Sequence, residues 1–128
     1  MLIIDKLSGV PIYEQIIANI QLLIIQGAYP ADTRLPSVRA LSQEISVNPN
    51  TLQKAFTELE RKGICYSVSG SGRYVSAEAQ NLIRKEKLGH LEEIANLTAS
   101  LKIFGIAKEQ IIECVNSAYD AKTSKGVE

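Results

Sequence analysis

Three groups of side chains near the middle of this 128-residue sequence have the types and spacing for recognition chemistry. The first is Asn50, Thr51, Gln53, Lys54 and Thr57. Asn and Gln can pair bidentately with an adenine edge, Thr offers a hydroxyl and a methyl, and Lys reaches guanine or a phosphate. The second is Arg39, whose planar guanidinium suits a phosphate or a base edge. The third is Gly70-Ser71-Gly72-Arg73, where two glycines permit close backbone approach and the arginine can enter a narrow minor groove or hold phosphate. Each has a plain alternative. Polar residues on a helix mostly make a solvated face, a surface arginine such as Arg39 can pair with Glu44 to little effect, and Gly-Ser-Gly fits any hairpin turn. The order and spacing of the three groups are more specific than any one of them.

The elements that must carry these groups follow from apolar periodicity. Ile12, Ile16, Ile17, Ile20, Leu23 and Ile24 recur at three- and four-residue steps, which predicts an amphipathic helix over 11–26, opened by Pro11 and closed by Gly27. Residues 28–35, with Pro30 and Asp32, read as a loop. Ser37 is a suitable N-cap for a second helix with Val38, Leu41 and Ile45 inward. After an interruption at 46–49, Asn48 or Asn50 can cap a third helix, with Leu52, Ala55, Phe56 and Leu59 buried and Gly63 beyond its end. Arg39 then lies on the outer side of the second helix, and the Asn/Thr/Gln/Lys group lies at the start of the third. Ile64, Tyr66 and Val68 alternate as a strand, Ser69–Gly72 turns, and Arg73-Tyr74-Val75 returns. An isolated hairpin is only marginally stable, so this one must lean on the helices. The fold class expected is mainly α with a small β-hairpin: a winged helix-turn-helix at 1–76, in which the second helix of the pair meets base edges in the major groove.

Beyond it, Leu82 or Ile83, Leu88, Leu91, Ile94, Leu97 and Leu101 step along one face of a long helix, with Gly89 as a possible bend. Gly105 breaks that helix, and Ile111, Ile112, Val115, Ala118 and Tyr119 mark another. Some 50 residues in two helices make no core of their own. The region 77–122 is therefore expected to be a helical hairpin that dimerises the protein, the alternative being that it packs back on its own winged helix. A polar tail at 123–128 is expected to be disordered.

Composition narrows the remaining classes. Hydrophobic residues make up 45% of the chain, enough for a globular core. No run of 18 apolar residues and no signal-peptide pattern at the start point to a membrane or to export, so a cytoplasmic protein is expected. Cys65 and Cys114 stand far apart without a CxxC or His companion, so neither a metal nor a disulfide is expected and the two read as packing residues. The one histidine, His90, has no nucleophile, carboxylate pair or glycine-rich loop to work with, so no enzyme and no cofactor are expected. The formal net charge is zero, with seven Lys/Arg against six Asp/Glu over residues 1–76. Any affinity for nucleic acid must come from local placement of charge.

PIYEQI at 11–16, LPSVRALSQEISVNPNTLQKAF at 35–56, LERKGI at 59–64 and GSGRYV at 70–75 resemble the GntR family of bacterial transcription regulators. The likeness covers about residues 8–76, and the short two-helix tail resembles the YtrA-type subfamily. The resemblance implies a homodimer on a palindromic operator in double-stranded DNA, usually as a repressor. The positions it carries over are Arg39, Asn48, Asn50, Thr51, Gln53, Lys54, Gly70 and Gly72. Family members often carry arginine at the position of Lys54, a basic residue at that of Ser71 and a small hydroxyl residue at that of Arg73, which displaces the wing's charge here by two positions. The sequence names no small-molecule effector. A winged helix used for protein–protein contact is the rival function, since fold alone does not fix it.

Overall fold

The computed structural model describes residues 2–121, and the tail expected at 123–128 lies outside the described residues. These divide into two compact units between Arg84 and Lys85. The first opens with an extended arm that α1 (Ile12–Ile25) holds by side-chain amides. Asn19 accepts from the Ile3 N–H and donates to the Ile3 carbonyl, at 3.3 and 3.1 Å. Gln15 does the same for Asp5, at 2.8 and 2.9 Å. Each amide imitates a neighbouring strand, which explains two polar residues on the apolar side of α1. The arm buries Leu2 and sends the Lys6 ammonium to the Ser46 carbonyl, 2.9 Å away.

The helix-turn-helix follows the sequence signals closely. Ser37 caps α2 (Val38–Ile45), its hydroxyl accepting from the Ala40 N–H at 3.0 Å. Ser46 turns the chain with a left-handed φ of 54°, and the Ser42 hydroxyl donates to the Val47 carbonyl to hold that turn. Of the two candidate caps for α3 (Pro49–Arg61), Asn48 does the work: its Oδ1 accepts from the Asn50 N–H at 2.8 Å. Pro49 then occupies the first turn, where its missing N–H costs nothing. Leu52, Ala55, Phe56 and Leu59 are fully buried against α1 and α2. Gly63, at φ 80°, lets the Ile64 N–H return to the Leu59 carbonyl and closes the helix.

β1 (Cys65–Val68) and β2 (Gly72–Val75) pair antiparallel, with Cys65 opposite Val75 and Val68 opposite Gly72. The loop expected at 28–35 hides a third partner. The Asp32 N–H donates to the Val75 carbonyl, the Val75 N–H to Thr33, and the Leu35 N–H to Arg73. Arg34 thereby bridges Tyr74 on the free edge of β2. The hairpin leans on this extended segment as well as on α3, which covers what would be an open edge. On its outer face Tyr66 stacks on Tyr74 with ring centroids 5.8 Å apart, and the Tyr66 hydroxyl donates to Asp32.

Residues 77–84 also belong to this unit. In α4 (Ala79–Leu88), Ala79 and Ile83 are buried in the core, and the Gln80 side chain donates to the Ile24 carbonyl at 3.0 Å. The long helix expected from residue 79 is divided at Gly89 into α4 and α5 (His90–Ile103). A side chain at Gly89 would come within 3.1 Å of the Glu86 carbonyl. Ile83 is buried in the first unit, whereas Leu91, Ile94 and Leu97 of the second are exposed.

The second unit contains α5, the left-handed Gly105 and α6 (Lys108–Asp120). Neither helix has a buried residue, and large apolar side chains stand outward on both and at the C-cap of α5, Tyr119 and Phe104 being more than 80% exposed. Among the described residues no cluster of His, Cys, Asp or Glu could hold a metal, and no helix is long and apolar enough to cross a membrane.

Both cysteines are free, and their surroundings differ. Burial pushes the Cys65 thiol up from an ordinary value of 9.0 to about 11, while Cys114 is exposed. A thiol reagent at neutral to mildly alkaline pH is expected to modify one cysteine per chain at once and the second only on unfolding. Immediate reaction of both would show that Cys65 is open to solvent. Because the folded thiol keeps its proton more tightly than the unfolded one, this residue destabilises the fold only as pH rises from about 9 toward 11.

Candidate nucleic-acid interface

The start of α3 presents what its buried stripe leaves over. Asn50, Gln53 and Lys54 are exposed and Thr51 is half-buried, on the side away from Leu52, Ala55 and Phe56. Asn48 stands exposed at the helix entrance, with its oxygen engaged in the cap and its amide nitrogen directed by that bond. The Gln53 amide has one weak contact, 3.5 Å to the Thr57 hydroxyl, so its pairing capacity is largely unspent. The Lys54 ammonium lies 3.8 Å from the centre of the Tyr13 ring, a cation–π contact that holds the cation beside α3 and that no spacing rule along α3 reveals.

Arg39 is exposed on α2 and has no ion-pair partner among the described residues; the alternative pairing with Glu44 is not formed. Together with Arg34, Ser37, Gln53 and Gly72 it lines a hollow of about 280 Å³ between the start of α2, α3 and the hairpin. The N-terminal end of α2 opens here, where unpaired backbone N–H groups favour negative charge.

In the hairpin, Gly70 takes φ 76° in the turn, which the Ser71 N–H closes on the Val68 carbonyl, and it is exposed. Ser71 is half-buried, its hydroxyl bonded to that of Tyr74. Arg73 does not project from the tip. Its Nε donates to Glu60 Oε1 at 2.6 Å and its guanidinium lies 5.1 Å from the centre of the Phe56 ring. Ser67 donates to the same Glu60 oxygen. The Ser67 hydrogen bond, with Arg73 beside it, holds the Glu60 carboxyl below the usual carboxylate range against the opposing push of burial. One carboxylate on α3 thus receives a donor from each strand of the hairpin.

The inward turn of Arg73 follows from strand geometry. Side chains two apart in a strand share a face, and Val75 is in the core. Arg73 must therefore face α3, while Gly72 and Tyr74 face outward. That signal was present in the alternation of β2 once Val75 is assigned inward. Sequence reasoning passed over Arg34 because its segment carries no strand periodicity, only the bridge to Tyr74 that places it.

A helix-turn-helix capped at both entrances, a two-stranded wing tied back to its second helix, and an exposed polar start to that helix are now in place. The profile of the bacterial regulatory proteins of the gntR family matches residues 12–75, which spans α1 through β2. The chain belongs to this family. The regulator is 36% identical over 127 residues to the HTH-type transcriptional repressor YtrA of Bacillus subtilis (strain 168), an alignment covering 98% of each protein. A GntR family transcriptional regulator from Listeria monocytogenes superposes on it with a TM-score of 0.70 at 36% identity, covering 86% of this chain and 96% of that one. The DNA-binding domain of AraR, solved in complex with operator ORX1, superposes with a TM-score of 0.53 at 34% identity, covering 59% of this chain and 93% of that one. YtrA and the Listeria protein are transcription regulators. The winged helix-turn-helix of this regulator is its DNA-binding domain.

Proposed function

We propose that the regulator represses transcription as a homodimer on a palindromic operator, with α3 of each copy in a major groove and the second unit joining the copies. The observation that carries the reading is the start of α3, where Asn50 and Gln53 are exposed with their pairing groups largely free, beside the exposed cation Arg39. Gln and Asn at the entrance of a recognition helix read adenine edges, and Arg39 serves a phosphate or base at the flank. Asn48, Thr51 and Lys54 complete the α3 surface, Lys54 leaving Tyr13 when a better acceptor is present. Gly70, Ser71 and Gly72 form the wing tip that approaches the neighbouring backbone. The repressor role is supported by the likeness to YtrA over nearly the whole chain, and the duplex partner by the AraR domain solved with operator ORX1.

A binding-site selection from random duplexes, followed by a salt titration on the selected sequence, tests this directly. Affinity is expected to fall steeply as salt rises, and half-sites to lie about 10 base pairs apart if two copies use successive major grooves. Gln53→Ala should relax discrimination at one base pair by about 1–3 kcal/mol, whereas Arg39→Ala should weaken all sequences alike if it holds phosphate. Failure of the wild-type protein to enrich any duplex would favour a protein–protein role for the winged helix instead.

A further inference from the structure

Arg34 lies outside every motif of the sequence, yet the fold gives it a prepared position. Its backbone bridges Tyr74, so by strand alternation its side chain is on the outer face of the wing with Tyr74 and Gly72. The guanidinium lies across Gly72: a Cβ built there would meet Arg34 Nε at 2.9 Å and Nη2 at 3.3 Å. Arg34 is exposed and has no ion pair or side-chain hydrogen bond among the described residues. It shares the 280 Å³ hollow with Arg39, Ser37 and Gln53. Arg73, the third guanidinium at that hollow, is already neutralised by Glu60.

Two unpaired guanidinium groups in one hollow repel until an anion sits between them. A phosphate offers each of them an oxygen and forms charge-assisted bonds with both. A side chain already laid against a surface loses less freedom on binding than a free one. We propose that Arg34 and Arg39 together hold one backbone phosphate of the DNA duplex in this hollow. This makes Arg34, and not Arg73, the cation through which the wing meets the duplex. The inference rests on the DNA-binding reading above.

The test uses full-length wild type, Arg34→Gln, Arg34→Lys and Arg34→Gln with Arg39→Gln on two duplexes, the selected operator and a scrambled sequence, over a range of salt. Arg34→Gln is expected to lower the slope of log affinity against log salt by part of the value of about 0.9 that one phosphate is worth in each bound subunit, because Arg39 remains, and Arg34→Gln with Arg39→Gln by the whole of it, a loss of about eightfold per subunit at 0.1 M salt. Both duplexes should be affected alike, the slope should return with Arg34→Lys, and the melting temperature should stay put, since the side chain is exposed. An unchanged slope in Arg34→Gln, with wild type still binding, overturns this inference and leaves the DNA-binding reading intact. A loss confined to the operator overturns the phosphate assignment in favour of a base contact. Wild type that binds neither duplex overturns both readings.

Discussion

Replacing Ile94 and Leu97 together with glutamate is expected to turn the proposed dimer into a monomer in sedimentation and to lower operator affinity by about 10²- to 10⁴-fold, the usual worth of a second linked binding event. Both side chains stand out from α5, Ile94 50% and Leu97 65% exposed, one helical turn apart. With Leu91, Leu101 and the exposed Ile112 and Val115 of α6 they give the second unit an apolar surface of the kind that marks an association site. Covering such side chains stabilises by about 1.5–3 kcal/mol each, so a few on each copy suffice to hold a dimer. Two carboxylates placed there would have to be buried without partners. The melting of the first unit should not change, because neither residue is in its core. A variant that sediments as a dimer would place the subunit contact elsewhere on the molecule.

Point variants serve this purpose better than shortening the chain. Cutting after Ser76, the boundary expected from sequence, would remove Ala79 and Ile83 from the core and the Gln80 bond to Ile24. Such a fragment would lose stability as well as its partner, and its weak binding would have two causes. The first unit reaches Arg84.

Phe56→Ala is the substitution with the largest expected effect on the fold, a loss of about 3–5 kcal/mol from lost burial and the cavity left behind. Phe56 is fully buried in α3, at the centre of the packing of α1, α2 and the wing. Single domains are stable by only about 5–15 kcal/mol, so this one change would consume a large part of the whole. Chemical denaturation, followed by far-ultraviolet dichroism, should show the midpoint moving down with little change in slope. The effect should reach the wing too, because the Phe56 ring supports the guanidinium of Arg73. A shift below about 1 kcal/mol would mean that the site closes up, against the range for buried aromatics.

The parts of the fold that were legible in the sequence are those governed by neighbours along the chain. Ser37 and Asn48 cap because a short oxygen-bearing side chain before a helix can take an orphan N–H, and Gly27 and Gly63 close helices because only glycine enters the left-handed region without penalty. The isoleucine ladder of α1 is buried as its spacing demands. What could not be read depends on partners distant in sequence. The 33–35 segment is extended only because β2 offers it carbonyls and N–H groups, while the preceding Asp32 and Pro30 spell a loop. Asn19, polar within the apolar ladder of α1, is a buried substitute for a strand neighbour. The candidate interface divides the same way. The exposed start of α3 follows from helical period, whereas the capture of Lys54 by Tyr13, of Arg73 by Glu60 and the seating of Arg34 on Gly72 are tertiary events.

The Glu60 carboxylate, bonded to Ser67 in β1 and Arg73 in β2, has a consequence for the operator as well as for the protein. It fixes the angle between the helix that would read bases and the wing that would touch the next stretch of backbone, so the two form a gauge of set length. Each added base pair turns a duplex by about 35° around its axis. A half-site in the proposed complex can therefore drift by substitution, losing affinity a little at a time. An insertion or deletion inside it would swing one contact off its groove altogether, so operators for this regulator should vary in letters and hold their count.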